Sequence, residues 1–67
     1  MAQIVRPRDD LSPNIKKGSF GTVDSVDDEG KLNVLFTHKP NCQPINPPPY
    51  VPGLPHTLFD FVDTGCD

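Results

Sequence analysis

The side chains best suited to chemistry in this chain are His38, Cys42, His56 and Cys66. Two histidines and two cysteines match tetrahedral zinc, and a metal would staple a small domain. The spacing argues otherwise. His38 and Cys42 enclose three residues, His56 and Cys66 enclose nine, and the chain has no C-x2-C knuckle. We expect no metal and no other cofactor. A nucleophile built from Cys42 with His38 or His56 would need an activating base, an orienting third group and an enclosed pocket. A chain of 67 residues leaves little room for such a pocket, so no enzyme is expected and no catalytic residue is assigned.

Two other constellations point to binding. Pro47-Pro48-Pro49-Tyr50 matches the PPxY pattern that WW domains take up, and a preformed polyproline II segment loses little entropy on docking. A proline-rich loop also generates this pattern by chance, with Tyr50 then packing on its own domain. The candidate partner-binding residues are Pro48, Pro49, Tyr50, Val51 and Leu54, the prolines holding the backbone and the others making contact. The second constellation is basic. Residues 1–20 hold Arg6, Arg8, Lys16 and Lys17 against Asp9 and Asp10, while the remainder is acidic and the whole chain carries −3. Arg6, Arg8, Lys16 and Lys17 could meet phosphate, with Phe20 as a stacking platform. Solvated surface charge is the simpler reading of these cations, and net acidity argues against a nucleic-acid footprint.

Other matches are weaker. Gly18-Ser19-Phe20-Gly21-Thr22-Val23 lacks the preceding strand and following lysine of a phosphate loop. Asp24–Gly30 lacks the alternating oxygen ligands and distal glutamate of a calcium loop. Both read as structural turns.

The elements that must position these residues are strands. Phe20–Val26 and Lys31–Thr37 flank Asp27-Asp28-Glu29-Gly30, an acidic turn in which Gly30 supplies a positive φ. Leu32, Val34 and Phe36 alternate with polar or outward positions. Phe20, Val23 and Val26 are spaced by three, so burying all of them requires a bulge or a two-faced strand. Ile4-Val5 forms a short strand edged by Pro7, and Ser12-Pro13 could start a single helical turn that nothing periodic continues. Seven of the nine prolines fall between Pro40 and Pro55. No central strand fits there, and an ordered loop packed by Ile45, Tyr50, Val51 and Leu54 is expected. Leu58–Val62 then resumes a strand.

Lys17-Gly18, Gly21-Thr22-Val23, Val26, Gly30, Val34 and Phe36 resemble the lysine-glycine turn and glycine-threonine-valine strand of small SH3-like and KOW-type barrels. The resemblance covers residues 15–36, about a third of the chain. It implies a fold shared by modules that bind proteins, nucleic acids or cofactors. The fold expected is all-β, a small SH3-like, partly open barrel with a long proline-rich loop before the last strand.

With Met1 at its start and one pattern throughout, the chain reads as one complete domain over residues 1–67, with the 40–55 loop inside it. No apolar run approaches the roughly 20 residues of a membrane span. MAQIVRPRDDL has no secretory hydrophobic stretch, so a cytoplasmic location with Cys42 and Cys66 reduced is expected. The function expected is a non-catalytic protein-interaction module, an accessory subunit or small regulator that binds a larger protein through its proline-rich loop. The alternatives are a KOW-like module that binds nucleic acid through its basic N-terminal region, and a viral or mobile-element inhibitor of a host enzyme.

Overall fold

A computed structural model describes residues 3–63. Five strands are present: β1 (Ile4–Pro7), β2 (Phe20–Val26), β3 (Leu32–His38), β4 (Tyr50–Leu54) and β5 (Phe59–Val62). They form one antiparallel sheet in the order β4-β3-β2-β1-β5. A 3-10 turn, His56–Leu58, joins β4 to β5.

The sheet curls. β3 and β5 are separated by β2 and β1, which in a flat sheet would set them about 14 Å apart. Yet the rings of Phe36 and Phe59 have centroids 6.3 Å apart. The fold is therefore a small, partly open β-barrel whose free edges are β4 and β5. Its core is Val5, Ile15, Leu32, Val34, Phe36 and Phe59, all buried. The alternation in β3 explains half of that list, because Leu32, Val34 and Phe36 share one face.

β2 contributes differently from its apolar pattern. Directly paired residues of antiparallel strands share a face, and the pairs are Gly21 with Phe36, Val23 with Val34 and Val26 with Leu32. Gly21 thus occupies a core-facing position. Asp24 is the extra residue where the register shifts between Val23 and Ser25. This bulge returns Val26 to the inner face, as the three-residue spacing requires. Val26 stands at the strand end, however, and is 57% exposed.

The hairpin turn closes as its sequence indicates. Gly30 has φ 82°, and the Asp27 carboxylate accepts the amides of Glu29 and Lys31, each at 2.9 Å. Two elements differ from expectation. Ser12 bridges Ile15 in a turn with no helix, and this buries Ile15 completely. The loop expected over 40–55 ends at Pro49, because Tyr50–Leu54 pairs with β3 as an edge strand. A proline is tolerated at an edge. Between the pairs Val34–Val51 and Leu32–Leu54, Pro52 and Gly53 face Asn33 alone. Gly53 at φ 72° makes the bulge possible and donates its amide to Asn33 Oδ1 at 2.9 Å.

The expectation of reduced thiols is corrected at Cys42, which is disulfide-bonded; Cys66 lies outside the described residues. No helix among the described residues is long and apolar enough to cross a membrane.

Candidate functional site

The proline segment is ordered by backbone pairing on the end of β3. Lys39 donates to the Gln43 carbonyl at 2.9 Å and Cys42 to the Lys39 carbonyl at 2.7 Å. His38 bridges Pro44, Ile45 donates to the Thr37 carbonyl at 3.2 Å, and Phe36 donates to the Pro49 carbonyl at 2.9 Å. The chain must bulge outward between the last two bonds, because Ile45 and Pro49 are held by adjacent residues of β3. Pro47 and Pro48 sit on that bulge and are exposed.

The bulge walls a groove of about 710 Å³. One side is Pro40, Pro44, Ile45 and Pro47–Pro49; the other is Pro13, Asn14 and Ser19 from the β1–β2 loop. Lys16 and Lys39, both exposed, also line it, and no carboxylate does. Proline rings are rigid, so the wall loses little side-chain entropy when covered.

A second, shallower cleft of about 560 Å³ gathers Arg6, Arg8 and Lys17 with Pro7, Gly18 and Asp60. Arg8 Nε is 2.9 Å from Asp60 Oδ1, an exposed pair of little energetic weight. The Lys17 amide donates to the Asp10 carboxylate, which fixes the turn leading to Gly18 at φ 91°.

The expected partner-binding residues are divided by this arrangement. Pro48 and Pro49 line the groove. Tyr50 follows them at the start of β4, opposite Leu35, and is 50% exposed. Val51 and Leu54 are half-buried and pack against the core. The basic residues divide as well: Arg6, Arg8 and Lys17 share one cleft, Lys16 faces the other, and Phe20 lines neither. Lys39, Pro13 and Asn14 join the groove without having been singled out in the sequence. Only chain pairing brings them there, and no local pattern encodes it.

Among the described residues no group of three or more His, Cys, Asp or Glu side chains is placed to hold a metal ion. The Nδ1 of His38 lies 3.0 Å from Thr37 Oγ1, a local contact within β3. Comparison with known protein families, curated proteins and solved structures found no match for the chain.

Proposed function

We propose that this chain is a non-catalytic interaction module that binds a larger protein through the proline wall of its groove. The observation that carries this reading is the groove itself. Five prolines of the 40–49 segment and Ile45 present rigid apolar surface that backbone bonds hold in place before any partner arrives. Such preorganisation improves affinity by removing an ordering cost. The SH3-like pattern of residues 15–36 is compatible with a binding module but names no partner.

Tyr50 follows the proline wall directly and is half exposed, while Val51 and Leu54 pack against the core. Pro48, Pro49 and Tyr50 are therefore the contact residues of this proposal, and the PPxY segment acts as a fixed wall more than as a free peptide. A second reading, contact with phosphate through Arg6, Arg8 and Lys17, is favoured by their gathering in one cleft.

An affinity capture from source lysate, with and without nuclease, tests both. The expected result is a stoichiometric protein partner that survives nuclease and loses about tenfold or more in affinity with Tyr50→Ala, the range of an interface hot spot. The exposed side chain leaves the fold of that variant intact, as its melting curve would show. Partners that vanish with nuclease would transfer the function to the basic cleft.

A further inference from the structure

The six Lys and Arg side chains of this chain are not spread over its surface. Lys16 and Lys39 line the groove and Arg6, Arg8 and Lys17 the cleft, which places five of the six on the two concavities. The sixth, Lys31, is 3.5 Å from Glu29 at the β2–β3 turn. Among the described carboxylates only Asp60 lines either concavity, and it is paired with Arg8. Arg6, Lys16, Lys17 and Lys39 have no carboxylate within ion-pair distance among the described residues.

The two concavities adjoin. Lys16 and Ser19 line one, Lys17 and Gly18 the other. A methyl group on Gly18 would stand 3.9 Å from Cγ of Pro40, so the proline wall reaches the turn that separates them. A protein of net charge −3 thus presents one face of two adjoining concavities, one of them proline-walled, that gather five of its six cations, with the Asp10 carboxylate held on the Lys17 amide beside them.

We infer that this face takes an extended acidic peptide segment of a partner protein, with an apolar or aromatic side chain seated in the groove and carboxylates over Lys16, Lys39 and the arginine cleft. The inference rests on the reading of the proline groove as a protein-docking site and adds the chemistry of what docks. Charge complementarity selects the acidic flanks, and like charge repels basic partners. The groove selects the apolar residue through one wall of proline rings and Ile45, and Asn14 and Ser19 on the opposite wall leave hydrogen-bonding groups for the peptide backbone. Single-stranded nucleic acid fits less well. Neither concavity is lined by an aromatic side chain on which a base could stack.

The test is selection of a displayed library of random linear peptides on the immobilised protein, followed by fluorescence anisotropy with the enriched peptides. The expected winners combine several Asp or Glu with an aromatic or large apolar residue. The double variant Lys16→Glu/Lys39→Glu should bind them about tenfold more weakly, since two exposed attractions become repulsions. Lys31→Glu should bind within about twofold of the parent, because its charge lies off this face. All three substituted side chains are exposed, and melting curves verify the fold. Neutral or basic winners, no enrichment, or an unchanged affinity in the double variant would each overturn the inference. So would displacement of the peptides by oligothymidine, which would identify single-stranded nucleic acid as the occupant. Winners that are indifferent to the two lysines but lost with Pro48→Ser would leave the docking groove standing and remove only its acidic specificity. Winners that need the lysines but not Pro48 would remove the groove reading itself.

Discussion

Ile15→Ala lowers the free energy of unfolding by about 2–5 kcal/mol, the cost of emptying a site that cannot collapse. A chain of this length has only about 3–10 kcal/mol in total, so the variant loses a large share of its stability. The residue is fully buried although it belongs to no strand. Its amide donates to Ser12 and its carbonyl accepts from Leu11, both at 3.1 Å. Those bonds turn the side chain inward and hold Asn14 and Lys16, its neighbours, on the groove. Loss of packing here therefore loosens one groove wall as well as the core. Urea denaturation gives the value directly, with Val26→Ala as an exposed comparator expected to change stability by no more than about 0.5 kcal/mol. A cost for Ile15→Ala no larger than the comparator's would show that the β1–β2 loop is not anchored through this residue.

The second large effect comes from adding a single methyl group. Gly21→Ala is expected to cost about 1–3 kcal/mol through overpacking. The new Cβ would lie 2.8 Å from Cδ1 of Phe36 and 2.8 Å from Cγ1 of Val34. Neither neighbour can retreat freely, since both are fully buried. The bare backbone at Gly21 lets the Phe36 ring lie against β2, where it meets Phe59 across the curled sheet. This origin is steric, so it is separable by a double-mutant cycle. Gly21→Ala combined with Val34→Ala should cost less than the sum of the two by about 1 kcal/mol, because the second change makes room for the first. Strict additivity would place the requirement for glycine elsewhere.

Both predictions rest on residues whose importance the sequence does not display. Ile15 stands alone among polar neighbours, in no period of two or of 3.6, and its burial depends on a turn that only the folded loop defines. Gly21 has no side chain to enter an apolar pattern, yet it fills a core position opposite Phe36. By contrast, β3 and the turn at Gly30 are legible. Leu32, Val34 and Phe36 alternate on one buried face, and Asp27 and Gly30 carry the turn chemistry in their own side chain and φ. β4 is hidden for a different reason. Pro52 argues against a strand, but an edge position and a bulge at Gly53 leave its missing amide without consequence.

The candidate site was legible to the same extent. Pro48 and Pro49 stand out because prolines cluster there, and they line one ordered wall, whereas Tyr50 begins the edge strand that follows it. The opposite wall, Pro13, Asn14 and Ser19, is drawn from a loop more than twenty residues away in sequence. Long-range pairing sets that juxtaposition, and composition alone carries no trace of it. Lys39 is likewise unremarkable in sequence and joins Lys16 only because the β3 end and the β1–β2 loop meet.

The docking surface we propose is the proline groove. Amide chemical-shift mapping of the isotopically labelled protein with its captured partner tests this directly. The largest perturbations are expected at Asn14, Ser19, Lys39, Ile45 and Asn46, which line the groove, with Tyr50 also shifted. Perturbations concentrated instead at the Asp27–Gly30 turn or along β5, with the groove amides unmoved, would contradict it.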